Sequence, residues 1–465
     1  MNGNLIRAGM QVAVLGFGQS GQAALDFALA TGAKARVSDS GDAARFETRH
    51  GAMLDALGVP WEAGQHRREF LAGIDAAIVS PGVPLHQNVI EWLSAQGVPL
   101  YGELALAAPL FNAPVIAVTG TNGKTTVTTL IGEIAKAAGK KVFVGGNIGT
   151  PLLRYVLSGE KADVVVLEVS SFQLQLAGAF APRVGVLLNI TPDHFDLHAN
   201  MDEYAAAKMR LFAHQRPDDT AVLCLDDEIT VRKAHLLIHR LVPRRLVTYG
   251  HEGHCLARLG EHGLTLRWHG AEEDYDLSGS QLDFPIGVSN AAAAVGATRA
   301  FGIAPDVIRA ALRAFTPLPH RLQPVRELAG VRYINDSKAT NTGAVIAALQ
   351  QVPGPTVLIA GGRDKGEDYR LLTEAVQHHC RGLVLLGETA PLISEALDGI
   401  VPIEMATDMA AAVQSAAQLA LPGDVVLLSP ACSSFDMFGG YAERGEAFMA
   451  AVDGLEEESW PRFAY

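Results

Sequence analysis

VIAVTGTNGKTTVTTLI, residues 115 to 131, decides how the rest of the chain is read. Val115 to Thr119 are mostly β-branched and read as a short buried strand, and the run from Thr125 onward reads as a helix. Gly120, Thr121, Asn122 and Gly123 therefore form the turn between them. Such a turn is a phosphate cradle: glycines let the backbone approach an anion, the first amides of the helix point at it, and the helix N-terminus adds roughly half a positive charge. Lys124 then reaches the terminal phosphates of a nucleotide, and the Thr125 hydroxyl is placed to hold Mg²⁺. The general pattern asks for a glycine where Val118 stands, so this loop is a shortened variant. The plain alternative is a Gly-rich turn with a surface lysine; against it, strand, turn, Lys-Thr and helix fall in the order the mechanism needs.

The 465 residues, 49% hydrophobic and 6% aromatic, describe a globular chain too long for one core, and three domains are expected. A net charge of -13 argues against a nucleic-acid surface, which calls for a basic patch. The basic stretch Arg232 to Arg245 is dispersed around an expected helix and reads as a solvated face. Cys224, Cys255, Cys380 and Cys432 lie far apart without CxxC or zinc spacing, which fits reduced thiols. With no apolar signal core at the N-terminus and no run of 18 apolar residues, the expectation is a cytoplasmic protein without membrane insertion.

Upstream of the loop, a strand (Val12 to Leu15) feeds Gly16-Phe17-Gly18-Gln19-Ser20-Gly21, a helix comes next, and a second strand ends at Asp39, eighteen residues beyond Gly21. These are the parts of a dinucleotide fingerprint, with Asp39 on a ribose hydroxyl. The same geometry also holds other nucleotide diphosphates, because helix-end amides recognise pyrophosphate and not nicotinamide. The second reading is preferred, since an oxidoreductase does not need a separate ATP loop a hundred residues on. The strand Asp75 to Val79 ends in Ser80-Pro81-Gly82, within reach of the same ligand.

Past Glu103 apolar strands recur at Lys141 to Val144, Asp163 to Glu168 and Val184 to Asn189, which is α/β winding around a largely parallel sheet. Glu168 ends a wholly apolar strand, where burying an unpaired carboxylate costs roughly several kcal/mol and a metal ion would resolve the cost. Asn189-Ile190-Thr191-Pro192-Asp193-His194-Phe195-Asp196 offers a histidine and two carboxylates in one loop; for His194 a structural His-Asp pair is the alternative to a metal role, because Mg²⁺ prefers oxygen. GGNIGTP, residues 145 to 151, makes another turn, where Asn147 either bonds substrate or shapes the turn. From about Thr220 to Tyr275 a peripheral β region is expected, and Ser289-Asn290 then opens an Ala-rich helix.

A third α/β domain should begin near Pro317. Its strands end in small polar clusters: INDSKATN after VRY, GGRDKG after TVLIA, and SPACSSFD after VVLL. A doubly wound domain collects ligands at the carboxyl ends of its strands, so Lys338, Thr340, Lys365 and Ser434 converge on this reading; ordinary loop chemistry is the alternative.

GTNGKTT, EVSSFQL, NITPDHFDLH, AAAKMR, LPHR, INDSKATN, GGRDK and SPACSSFD succeed one another in the order seen in the Mur ligase family, which this chain resembles over nearly its whole length. The resemblance implies three α/β domains: Rossmann-like residues 1–102, a central P-loop ATPase-like, mostly parallel domain at 103–317, and a Rossmann-like C-terminal domain at 318–465 whose last residues, 455–465, form a disordered tail. It implies an ATP- and Mg²⁺-dependent amide ligase of peptidoglycan synthesis. The absence of a DNPR motif favours the branch that adds D-glutamate to UDP-N-acetylmuramoyl-L-alanine, with the chain a monomer. The residues implied for ATP are Gly120, Thr121, Asn122, Gly123, Lys124, Thr125, Thr126, Asn290, Arg321 and Asp336. For the UDP substrate they are Gln19, Ser20, Asp39, Ser40, Gly82, Asn147 and His194, and for the amino acid Lys338, Thr340, Lys365, Ser434, Phe435 and Tyr441. Thr125, Glu168, His194 and a carbamylated Lys208 are implied for metal, and Lys124, Glu168, His194 and Lys208 for catalysis. In one departure, Gly287 stands where the family carries an asparagine that contacts adenine.

Lys208 admits two readings. Spacings of three and four put Ala205, Lys208, Leu211 and Phe212 on one apolar face of a helix from Met201 to Phe212, where a lysine ordinarily snorkels its head to water. The resemblance implies instead a buried amine that has taken up CO₂ and offers carbamate oxygens to Mg²⁺. Another Mur or folylpolyglutamate-type amide ligase, an oxidoreductase built on residues 12 to 39 and a P-loop protein that only senses nucleotide are the competing functions.

Overall fold

The structure, a computed structural model, describes residues 5–192, 198, 200–233, 245–316, 319–352 and 354–455. The expected helix in 232–245, the Pro317 boundary, His194 and the tail from residue 456 lie wholly or mostly outside the described residues. The chain divides into two compact units, residues 1–190, 200–280 and 288–314 in one and residues 191–199, 281–287 and 315–465 in the other.

The first unit holds two sheets. Strands β1 (Gln11–Leu15), β2 (Lys34–Asp39), β3 (Trp61–Ala63), β4 (Ala76–Val79) and β5 (Leu100–Tyr101) form a parallel sheet in the order β3-β2-β1-β4-β5, the Rossmann arrangement. Val12, Ala13, Val14 and Leu15 are buried on both faces, as a central parallel strand requires. Strand order reverses between β1 and β4, which places the Gly16–Gly21 loop and the Ser80–Gly82 turn at one crevice.

Next come β6 (Val115–Thr119), β7 (Val142–Gly146), β8 (Val164–Glu168), β9 (Val184–Leu187), β10 (Thr220–Cys224), β11 (Arg245–Gly250), β12 (Ala257–Leu259), β13 (Gly263–Trp268) and β14 (Ala271–Asp276). Their order is β14-β13-β12-β11-β10-β9-β6-β8-β7, parallel from β7 to β12 and antiparallel at the β12-β13-β14 edge. β6 is buried throughout and lies between β8 and β9, so the carboxyl ends of those two strands flank the phosphate loop. The expected peripheral β region is corrected here. β10 pairs directly with β9 and is wholly buried, its Thr-Ala-Val-Leu-Cys run being apolar enough to continue the main sheet; the hairpin beyond β12 forms the edge on this side. One core spans both sheets, running from Val12 and Val14 through Leu104 and Leu152 to Leu187 and Phe212.

The Ala-rich helix begins earlier than expected, at Pro285, and runs to Ala300. Proline is pre-set for a first helical position, so Gly287 falls in the first turn. A Cβ there would stand 2.3 Å from the Leu282 carbonyl oxygen, so the departure to glycine is tied to this backbone path.

The second unit carries β15 (Gln323–Leu328), β16 (Val331–Asn335), β17 (Thr356–Ala360), β18 (Cys380–Leu385), β19 (Ile403–Met405) and β20 (Val425–Leu428), ordered β15-β16-β20-β17-β18-β19. Only the β15–β16 pair is antiparallel. The order reverses between β17 and β20, and the loops after β16, β17 and β20 open at that point.

Candidate active site

Gly123, in the left-handed conformation at φ 83°, turns the chain into the helix Lys124–Ala137. A Cβ on it would also lie 2.6 Å from Asn290 Oδ1, so the loop and Asn290 are packed together. Lys124 Nζ donates to the carbonyls of Gly120 (3.0 Å) and Thr121 (2.8 Å). Thr125 is buried and Thr126 half-buried in the first helical turn. Lys208, on the helix Met201–Met209, is 2% exposed, and its Nζ donates to the Gly120 carbonyl at 2.7 Å with the Tyr204 ring 4.3 Å away. Its head does not snorkel to water; that alternative is set aside. Tyr204 OH lies 3.1 Å from Thr121 Oγ1, a link from this helix to the loop that spacing did not indicate.

Glu168 stands opposite Val118 in the β6–β8 register, at the mouth of the phosphate loop. It is 2% exposed; Oε1 accepts from Asn147 Nδ2 at 2.8 Å, and Oε2 is buried without a hydrogen-bond partner. A buried carboxylate oxygen without a hydrogen-bond partner and a helix N-terminal threonine hydroxyl are oxygen donors of the kind a hard divalent cation prefers, so these residues fit Mg²⁺. Among the described residues no group of three His, Cys, Asp or Glu side chains is gathered for a metal, so any further ligand must be of another kind or lie outside them. Asn147 reaches Glu168 because Gly146 (φ 104°) passes where a Cβ would lie 2.3 Å from the Glu168 carbonyl oxygen.

Asn147 also lines a crevice of about 590 Å³ with Gln19, Ser20, Asp39, Ser40 and Gly82. Six of the seven residues implied for the UDP substrate thus share one cavity. The Asp39 carboxylate accepts from the amides of Phe17 (2.6 Å) and Gly41 (2.7 Å), so it shapes the Gly-rich loop. Asp39→Ala is expected to weaken uridine-nucleotide binding about tenfold while leaving ATP affinity unchanged, read by calorimetry with each nucleotide; an unaltered uridine affinity would move that site elsewhere. Behind Ser20, Glu103 is 3% exposed; burial raises its carboxyl above the ordinary range, offset by the Leu153 and Leu152 amides and the Ser20 hydroxyl. Sequence reasoning took Glu103 only as a domain border.

In the second unit, Lys365 Nζ donates to Thr340 Oγ1 at 3.3 Å, and Lys338 Nζ sits 3.8 Å from the Tyr441 ring centroid. Ser434 is buried, whereas Phe435 is 63% exposed. Asp336 accepts from Leu322 N (3.2 Å) and Ser429 Oγ (3.0 Å); burial pushes its carboxyl up to about 7, and the Arg321 charge opposes that rise. His320 and Ala431 hold left-handed backbone conformations beside these residues, strain that clusters at functional sites.

Arg444 was missed. Fully buried, it donates from Nε to Ser337 Oγ (3.1 Å) and from its two terminal nitrogens to the carbonyls of Ser337 (2.9 Å), Cys432 (3.1 Å), Ser433 (3.2 Å) and Gly361 (3.4 Å). It ties together the loops after β16, β17 and β20, and burial draws its guanidinium down to about 10. The available signal was an arginine at spacings of four and eight from the apolar residues Phe448 and Val452. Arg444→Met should cost about 3 kcal/mol of stability, read from the denaturant midpoint, because it strands several buried carbonyls; a loss under about 0.5 kcal/mol would show that water replaces the guanidinium.

Against known families, residues 10–102 match the Mur ligase MurD-like N-terminal domain, 118–298 the Mur ligase middle domain, and 320–432 the Mur ligase glutamate ligase domain. The chain belongs to the Mur ligase family. It is 46% identical to the UDP-N-acetylmuramoylalanine–D-glutamate ligase of Desulfotalea psychrophila, covering 96% of each chain. It is 41% identical to the enzyme of that name from Syntrophotalea carbinolica, over 97% of this chain and 98% of that one. The MurF ligase of Thermotoga maritima in complex with ADP shares the fold at 19% identity, with a TM-score of 0.59 over 97% of this chain and 96% of that one.

Proposed function

We propose that this chain joins D-glutamate to UDP-N-acetylmuramoyl-L-alanine at the expense of ATP, with Mg²⁺, in bacterial cytoplasmic peptidoglycan precursor synthesis, and that it works as a monomer in three domains, 1–102, 103–317 and 318–465. The observation that carries the reading is the Asn147–Glu168 contact, which connects a crevice of nucleotide size to the corner of a second, phosphate-binding loop. An enzyme that activates a nucleotide-linked carboxylate with ATP needs that adjacency.

A carboxylate resists attack by an amine. The terminal alanine carboxylate oxygen therefore attacks the γ-phosphorus of ATP, the bond to ADP breaks, and an acyl phosphate forms. The D-glutamate amine then adds to the acyl carbon, the bond to phosphate breaks with its electron pair, and a base takes the amine proton. Phosphoryl transfer asks the protein for alignment and charge neutralisation. Lys124 supplies a cation at the loop, and Gly120 to Thr126 with Asn290, Arg321 and Asp336 hold ATP. Thr125, Glu168, His194 and a carbamylated Lys208 would hold Mg²⁺, which would supply further neutralisation of the phosphate charge. Lys338 and Lys365 bring positive charge for the carboxylates of D-glutamate, with Thr340, Ser434, Phe435 and Tyr441 around it.

The test is phosphate release by the purified chain. Release from ATP only when UDP-N-acetylmuramoyl-L-alanine and D-glutamate are both present is the expected result. Release with neither substrate, or a change in nicotinamide absorbance, would overturn it in favour of a nucleotide sensor or an oxidoreductase.

A further inference from the structure

The side chain of Asn189 is bonded into the phosphate loop from outside it. Its Oδ1 accepts from the backbone amides of Thr121 (3.1 Å) and Asn122 (2.8 Å), and its Nδ2 donates to the Asn122 carbonyl at 3.2 Å. The Asn189 carbonyl accepts from the Thr121 amide as well, at 3.0 Å. Asn189 lies two residues beyond β9, and the Leu188 amide, bonded to the Thr119 carbonyl at 3.0 Å, keeps this extension in register with β6. The loop it grips is the short one, whose first glycine is Gly120 and not residue 118.

We propose that Asn189 is a positioning residue for nucleotide phosphate binding, standing in for the backbone that a full-length loop would contribute. By holding Thr121 and Asn122 in place, it presents the amides from Gly123 onward to the triphosphate. An amide side chain suits the task because it accepts from two N–H groups with one atom and donates to a carbonyl with the other. Leucine matches its size and does neither. The inference rests on the ATP reading above.

The test uses the full chain, with Asn189→Leu and Asn189→Ser. ADP affinity is measured by calorimetry, and steady-state constants are measured for all three substrates. Asn189→Leu is expected to bind ADP roughly tenfold more weakly and to raise the KM for ATP by a similar factor. At saturating ATP kcat stays within about threefold, and the KM values for the uridine substrate and D-glutamate do not move, a split that general loosening of the fold would not produce. Asn189→Ser keeps an acceptor, falls between parent and leucine variant, and serves where the leucine variant does not fold. Unchanged ADP affinity in the variants overturns the proposal. So does tighter binding, which would make Oδ1 an occupant that phosphate displaces. A parent chain that binds ADP but releases no phosphate sinks the ligase reading and leaves this test standing.

Discussion

Lys124→Ala should lower turnover by about 10²-fold or more while the fold survives. The ammonium lies at the first residue of the helix, within 3.0 Å of two loop carbonyls, where the positive end of the helix dipole and the side-chain charge add. Phosphoryl transfer spreads negative charge over the moving group, and a preorganised cation in a sheltered corner stabilises that charge more than water does. The Lys124 side chain is only half-buried, and the Gly120 carbonyl keeps Lys208 as a second donor, so its loss strands little. Steady-state phosphate release gives the turnover, and circular dichroism checks the fold. A variant within twofold of the parent rate would show that the loop is decorative.

Lys208→Ala is expected to lose activity by a comparable factor, about 10²-fold, and to regain part of it in acetate or another small carboxylate. Lys208 and Lys124 both donate to the Gly120 carbonyl, at 2.7 and 3.0 Å, so two ammonium groups meet at one oxygen. Like charges that share one acceptor repel. A carbamate on Lys208 would reverse the sign, attract Lys124, and add anionic oxygens beside the phosphate loop. Acetate can replace those oxygens in the space that alanine leaves, which a purely structural lysine would not allow. Full activity without rescue would sink the carbamate.

The main elements were legible because their signals are local. A β-branched run, a glycine turn and a Lys-Thr pair specify a strand, loop and helix within about a dozen residues, and period-3.6 spacing was enough to put Ala205, Lys208, Leu211 and Phe212 on a buried face. Misreadings fell where local pattern is weak: the β10 strand, interior because of its pairing with β9, and the start of the helix at Pro285.

By itself the sequence determined the three α/β sheets and the chemistry at the ends of their strands, since periodicity and turn residues are properties of neighbours along the chain. Tertiary structure alone decided where the Lys208 ammonium ends, that Asn147 meets Glu168, that Asn189 grips the phosphate loop, and that Arg444 binds three loops. Those partners are separated by 88, 21, 67 or 68, and up to 107 residues. Bonds of that span depend on strand order and register, and which strands become neighbours is settled by burying the whole core at once and not by any one segment's pattern.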